Sequence, residues 1–407
     1  MTIAMRRGAC PALSAPMLTG DGLLVRLNLA EGGMPPASLS ALCGLAIRHG
    51  NGIVEVTARG SLQIRGLTPR SAPPLAADVE ALGLDLRDGV PVETSPLAGL
   101  DPKEIADPLP LVRAIRAATV RAGLAARLGP KVSVVVDSGG NIDLPEILAD
   151  VRLTAMRQDG TVRWLLAVGG NSTTARPVAL LDESDAVHAT LELLEAIAAL
   201  GITARGRDLE SGSAISPVVA EMSGWTEGDA MERQAPPQSV ALPLTNGCHA
   251  ALISLPYGSI AAAELRAFLG AIEADEIRLA PQRSLILICA TQAAARAANE
   301  VARAHDLIVD PADPRRMVAA CPGAPACTSG RMATREIARR IAAAGTFENV
   351  HVSGCAKGCA HPAPAGLVLV GTDAGIALIR GGRASDAPFA IAADANAALD
   401  ALSRNPA

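Results

Sequence analysis

The sequence predicts an α+β protein of two similar halves, each opening with a strand–helix–strand–strand unit and continuing into a mixed α/β segment. Three observations carry that expectation. The element order occurs twice, the two closing hairpins match at an offset of 223 residues (Gly60 to Arg283), and a stretch rich in Gly and Pro lies between the halves.

In the first half, Val25, Leu27 and Leu29 alternate with Arg26 and Asn28, the pattern of a half-buried strand. Ser38 can cap a helix whose Leu39, Leu42, Cys43 and Ala46 form one apolar stripe, ended by Gly50-Asn51-Gly52. Short strands at Ile53 to Thr57 and Ser61 to Arg65 follow, joined at Arg59-Gly60. The order returns with a strand at Ala251 to Leu255 and a helix capped by Ser259 with Leu265, Phe268, Leu269 and Ile272 on one face. Glu276 to Leu279 and Ser284 to Cys289 make the closing hairpin. The hairpin match is one short stretch at matching topology; it suggests duplication and leaves open two unrelated pieces.

The segment after the first unit contains a helix near Leu111 to Arg121, strands at Val132 to Val136 and Val162 to Val168, and a helix near Ala186 to Leu200. The segment after the second contains a helix near Gln292 to His305, a cysteine-bearing region, a helix from about Arg331 to Ala344, and strands near Val350, Leu367 and Ile376. The expected domains are therefore 1–75, 76–222, a linker at 223–243, then 244–310 and 311–407.

Composition narrows function. The 407 residues carry a net charge of −5 and only six aromatics, too few to stack the bases of single-stranded nucleic acid. Of the 36 basic residues only Lys103, Lys131 and Lys357 are lysines. The mean hydropathy of +0.29 comes mostly from alanine; no apolar run approaches the ~18 residues of a spanning helix. Pro11 and Pro16 interrupt the apolar stretch after Arg6-Arg7, which argues against an export signal. A cytoplasmic protein that binds neither nucleic acid nor membrane is expected, with its cysteines reduced.

Four of the eight cysteines form two close pairs, Cys321 and Cys327 as C-x5-C and Cys355 and Cys359 as C-x3-C. Both sit in loops of Gly, Ala and Pro that let backbone wrap a bulky inorganic group. Four thiolates are the ordinary ligand set of a [4Fe–4S] cluster. Structural zinc, as in a non-enzymatic scaffold protein, is the rival reading; C-x3-C is within zinc spacing, C-x5-C is long for it.

These cysteine loops, read with Gly354, Lys357, Gly358, His361 and Pro362, resemble the signature of the sulfite and nitrite reductase superfamily. Thr57, Arg59 and Gln63 resemble the T-x-R-x-x-x-Q hairpin of its ferredoxin-like half-domain. The resemblance covers nearly the whole chain and implies two ferredoxin-like half-domains related by internal duplication, each followed by a mixed α/β reductase-like domain. Within the superfamily, Arg7-Gly8-Ala9-Cys10-Pro11 and Pro16-Met17-Leu18-Thr19-Gly20-Asp21-Gly22 are most similar to the branch that oxygenates precorrin-3A in aerobic cobalamin biosynthesis.

That resemblance implies a carboxylate-rimmed tetrapyrrole, either precorrin-3A as substrate or, in the alternative of a sulfite or nitrite reductase, sirohaem as cofactor. Many cations are then needed in one cleft, and Arg suits this because its planar fork pairs with carboxylate. Arg59 and Gln63 match the motif that faces the tetrapyrrole; Arg127 and Lys131 resemble a further basic patch; Arg283 follows from the internal repeat; Lys357 stands between two cluster cysteines. The branch further implies O2 as co-substrate, NADH as ultimate electron donor and a mononuclear non-haem iron. His249 and His361 are candidate iron ligands, but no 2-His-1-carboxylate spacing is visible. No Gly-rich NADH fingerprint stands out, so a separate reductase is the expected electron source. No catalytic side chain is assignable from the sequence.

Overall fold

Residues 11–209, 241–345, 347, 349–361 and 363–404 are described by the computed structural model. The expected linker at 223–243 lies outside them except for its last three residues, and so do Arg7 to Cys10 and Pro362.

The first unit comprises β1 (Met17–Thr19), β2 (Gly22–Leu27), α1 (Pro36–His49), β3 (Ile53–Val56), β4 (Leu62–Leu67) and α2 (Ala72–Glu80). Helix α1 begins at Pro36 with Pro35 at its N-cap and no side-chain cap, so Ser38 lies inside it. The proline ring pre-sets the first helical φ where an N–H is not needed, which makes a Ser cap redundant. Leu39, Leu42, Cys43 and Ala46 form the fully buried stripe that their spacing predicted. Leu42→Ala would cost about 2–5 kcal/mol in such a core.

The second unit comprises β5 (Val92–Thr94), α3 (Leu109–Arg121), β6 (Val134–Asp137), β7 (Ala149–Gln158), β8 (Thr161–Gly170), β9 (Arg176–Leu181) and α4 (Glu183–Ala199). The third has β10 (Leu242–Pro243), β11 (His249–Ser254), β12 (Ser259–Ala261), α5 (Ala262–Gly270), β13 (Glu276–Ala280), β14 (Ser284–Cys289) and α6 (Gln292–Ala304). The fourth has β15 (Val318–Ala320), α7 (Thr334–Ala344), β16 (Val350–Ser353), β17 (Ala365–Thr372), β18 (Gly375–Gly382), β19 (Ala390–Ala392) and α8 (Ala395–Arg404).

Ser259 does not cap a helix. It belongs to β12, which crosses to the first unit and pairs antiparallel with β3, Ser259 opposite Glu55 and Ala261 opposite Ile53. The edge of the first sheet is thereby covered, and that pairing outweighs the local capping preference. The first sheet runs β1-β2-β4-β3-β12 and the third unit's sheet β10-β11-β14-β13. Helices α1 and α5 share one core in which Leu39 and Leu42 join Leu265 and Phe268.

The two hairpins have equivalent registers. Val56 faces Leu62 in β3–β4, and Leu279 faces Leu285 in β13–β14, each residue 223 positions on. The second and fourth units also agree: β5-β6-β7 are parallel, β8 pairs antiparallel with β7 and β9 antiparallel with β8, and β15-β16-β17, β18 and β19 repeat that pattern.

Candidate functional site

The two cysteine loops follow β15 and β16, neighbouring parallel strands, so strand pairing places both loops at one edge of the fourth unit's sheet. The chain after Cys327 does not enter a helix at Arg331. It first folds back, with Ala324 N–H donating to Met332 O and Arg331 N–H to Gly354 O, and α7 starts only at Thr334. The Thr334 hydroxyl donates to Cys321 O at 2.5 Å, which ties the helix start to the first loop.

Small residues close the loops on each other. A Cβ on Gly354 would lie 3.1 Å from Gly330 Cα and 3.2 Å from Gly323 Cα. The Gly354 N–H donates to Cys321 Sγ at 3.1 Å. Cys359 is the most open of the four. Burial, and then the charges of Cys321, Cys355 and Cys327, push its thiol pKa up, so the four sulfurs sense one another. Among the described residues no three His, Cys, Asp or Glu side chains are gathered tightly enough to hold a single metal ion. Four thiols on two adjacent loops around a glycine cradle are a donor set that fits a [4Fe–4S] cluster, which their C-x5-C spacing already favours over zinc.

The first unit supplies one wall of this site. The β1–β2 turn packs so closely that a Cβ on Gly20 would fall on Cys327 Sγ, while Gly20 O accepts from Thr328 N at 2.9 Å. Next to it Asp21 accepts from Arg65 Nε at 2.9 Å and Nη2 at 2.8 Å. Arg65 Nη1 reaches Glu55 at 2.9 Å, and Arg335 of α7 reaches the same carboxylate at 3.4 Å. Burial raises the Asp21 pKa, but hydrogen bonds from Arg65 and Thr19 outweigh it and hold the carboxyl below its ordinary range. Arg65 stands two residues beyond Gln63, so strand alternation alone places it on the same face. Asp21, Glu55 and Arg335 carry no comparable sequence signal, because they meet only through folding.

That ion chain begins a polar sheet face. Arg26, Gln63 and Glu55 are neighbours across β2, β4 and β3. With its amide oriented to suit these neighbours, Gln63 donates to Glu55 at 3.2 Å and accepts from Arg26 at 2.7 Å. Val25, Leu27, Val54, Leu62 and Ile64 point the other way, into the core. In the third unit the residue equivalent to Gln63 is Ile286, buried with Leu97, Leu242 and Leu244. One sheet therefore offers a polar face and its counterpart is sealed with leucine.

Arg59 lies at the far tip of the hairpin. It donates to Glu93 at 2.9 Å, to Leu148 O at 3.0 Å and to Ser133 Oγ at 3.4 Å, bridging the first unit to the second. It also lines a cavity of about 400 Å³ whose wall carries five arginines, Arg59, Arg87, Arg113, Arg116 and Arg278, against Glu31, Glu93 and Glu276. Those numbers leave two formal positive charges in surplus. Lys131 is exposed at the turn into β6, two residues before Ser133. Arg127 is turned outward and pairs with Glu195 of α4 at 2.5 Å. Lys357 Nζ donates to Ser329 Oγ at 3.0 Å, joining the second cysteine loop to the first. Arg283 stands at the tip of the other hairpin, beside the fourth unit.

A family profile described as the nitrite/sulfite reductase ferredoxin-like half domain matches residues 15–82, the unit that bears Gly20, Arg59, Gln63 and Arg65. A precorrin-3B synthase of a Sinorhizobium species is 39% identical over 414 aligned residues, covering 98% of this chain and 88% of the relative. The chain belongs to the precorrin-3B synthase family. A ferredoxin–nitrite reductase of Synechococcus elongatus is 24% identical over 404 residues, 87% of this chain and 77% of the relative. The structure of the Mycobacterium tuberculosis NirA protein matches with a TM-score of 0.63 at 19% identity, covering 91% of this chain and 76% of that one. That likeness shows a shared architecture between this precorrin-3B synthase family chain and a solved structure. Iron–sulfur and sirohaem cofactors are a general property of the nitrite and sulfite reductase superfamily to which the family belongs.

Proposed function

We propose that the protein is a monooxygenase acting on precorrin-3A in aerobic cobalamin biosynthesis. In this reading dioxygen supplies a hydroxyl at C20, the ring A acetate closes a γ-lactone, and the second oxygen atom leaves as water. Two electrons are consumed, ultimately from NADH, and they reach the chain through a separate reductase. The observation that carries the reading is the polar face of β2, β3 and β4, which runs from the cysteine loops at Gly20 to the arginine-lined cavity at Arg59. Six residues of β4 at ~3.3 Å each make that run about 20 Å, comparable to the width of a tetrapyrrole with its side chains.

Cys321, Cys327, Cys355 and Cys359 would hold a [4Fe–4S] cluster, which supplies single electrons that side chains cannot. The chain's own residues position the substrate. Arg59, Lys131 and the cavity arginines face one edge of the macrocycle and attract its carboxylates, and Gln63 holds Arg26 and Glu55 in place beneath it. Lys357 keeps the two cysteine loops together through Ser329. Arg127, already paired with Glu195, acts at most on the outer surface. For a mononuclear iron the described residues do not fit: no group of three His, Cys, Asp or Glu side chains that could hold such an ion is found among them, at His249 and His361 or elsewhere.

The test is anaerobic purification with iron and sulfide analysis, followed by incubation with precorrin-3A, O2 and a reductant. The expected result is a brown protein with broad absorption near ~400 nm and no macrocycle bands, which converts the substrate with loss of one O2. Soret and Q bands with turnover of sulfite or nitrite would instead indicate the sirohaem reductase reading. NADH oxidation by the purified chain alone would remove the need for a separate reductase. Cys355→Ser should lose both cluster and activity; an intact four-iron cluster in that variant would overturn the ligand assignment.

A further inference from the structure

Arg59 and Arg116 grip one edge strand from different units. Strand β5 borders the second sheet, and its Glu93 carboxylate accepts from Arg59 Nη2 at 2.9 Å. The preceding residue, Val92, accepts at its carbonyl from Arg116 Nη2 at 2.8 Å. Both guanidiniums line the cavity of about 400 Å³. Arg59 comes from the first hairpin tip and Arg116 from α3, so the pair exists only where the first two units meet.

Helix periodicity builds the wall around them. Leu109, Val112, Arg113 and Arg116 are spaced as i, i+3, i+4 and i+7, so one face of α3 presents two apolar side chains and two cations to the cavity. Arg113 is committed to Glu31, which it reaches at 2.7 Å. The same carboxylate stays 3.7 Å from Arg116 Nη1, and Arg116 Nε is buried without a hydrogen-bond partner. One glutamate thus serves both guanidiniums of α3, and Arg116 is the less well matched of the two. A buried donor of this kind is costly until something binds it. Leu144 and Ile147 add further apolar surface.

At about 30 Å³ per water-sized group, the cavity has room for roughly 13 of them. That is the size of one pyrrole ring carrying two acid arms and far short of a whole tetrapyrrole. The apolar side chains suit the flat ring. Two guanidiniums docked on consecutive residues of β5 suit carboxylates borne on neighbouring ring carbons.

We propose that the cavity takes a single ring of the tetrapyrrole by both of its neighbouring acid arms, one at Arg59 and the other at Arg116. Arg116 is then a specificity-determining residue, which selects a ring with two acid arms over a ring with one. This inference rests on the tetrapyrrole reading and adds to it which part of the ligand the cavity holds.

The experiment is a pair of fluorescence titrations of the purified protein, with uroporphyrin III, which has two acid arms on every ring, and with coproporphyrin III, which has one. Wild type should bind uroporphyrin about tenfold or more tightly than coproporphyrin, because the second arm completes a desolvated charge pair. Arg116→Gln should reduce that preference to about twofold by weakening uroporphyrin alone. Arg127→Gln removes the same charge from the outer surface, where Glu195 pairs it, and should leave the preference intact. An arginine with only a structural role would weaken both ligands equally, so an unchanged ratio in Arg116→Gln overturns the proposal. An equal loss of preference in Arg127→Gln also overturns it, since net charge alone would then explain the effect. Should Arg116→Gln fail to fold, Glu31→Gln tests the same point: releasing Arg116 from its shared carboxylate should raise the preference several-fold, and an unchanged preference overturns the proposal. If wild type binds both porphyrins equally well, the two-armed site falls and the tetrapyrrole reading stands. If it binds neither, both fall.

Discussion

Arg59 and Glu93 are joined at 2.9 Å across the boundary between the first two units, with the arginine about one-third exposed and the glutamate mostly buried. The residue that the motif marks for ligand thus also holds two units together. Arg59→Ala should lower stability by about 1 kcal/mol, in the range of a partly screened ion pair, as read from a urea midpoint. Glu93→Gln should release the guanidinium and tighten uroporphyrin binding several-fold. No change in either variant would mean that the pair is a surface contact without influence on the cavity.

Gly20 allows a test of the cysteine site that leaves every proposed ligand residue in place. Because a Cβ there would meet Cys327 Sγ, with Ser329 N 3.5 Å away, Gly20→Ala must push the β1–β2 turn off the loop. Iron and sulfide per chain should fall by half or more while the far-UV spectrum is kept. Full cluster loading in this variant would show that the close approach has no consequence for the site.

Arg65 is bound by two carboxylates, with side chains of Asp21 and Arg65 only 3% and 11% exposed. Arg65→Met would leave Asp21 and Glu55 without their main partner, and breaking a buried pair on one side costs about 3–5 kcal/mol. Chemical denaturation measures this directly, and a loss under ~1 kcal/mol would be inconsistent with so buried a network.

Glu104 provides a pH signature. Burial raises its pKa to about 7, against hydrogen bonds from Gly99 and Ser138, with Asp101 and Asp107 adding repulsion. In the unfolded chain the carboxyl releases its proton near its ordinary 4.5, whereas the folded protein retains it until about 7. Folding stability is therefore favoured at low pH and declines as pH rises through that window. Glu104→Gln should match wild type near pH 4 and exceed it above pH 7 by about 1 kcal/mol, after allowance for solvent screening of a half-open group. Equal stability at both values would show that Glu104 titrates normally.

The sequence by itself determined the parts of this protein that depend on local order. The apolar stripe of α1, the alternation in β2 and β4, and the helices near Leu111, Ala186 and Gln292 follow from periodicity and stand where expected. The paired cysteines were legible as a candidate ligand set because ligand spacing is written along the chain. The start of α7, the role of Ser259 and the absence of a side-chain cap on α1 were settled by loop packing, by pairing of β12 with β3 and by Pro36. Only the tertiary structure could decide which arginines the protein itself already pairs. Arg59 and Arg127 look alike in a one-dimensional reading, and a motif favours Arg59. Folding brings Glu93 to Arg59 from 34 residues away and Glu195 to Arg127 from 68. The availability of a charged group is set by what the rest of the chain places beside it, because an ion pair within the protein and one with a ligand compete for the same donors.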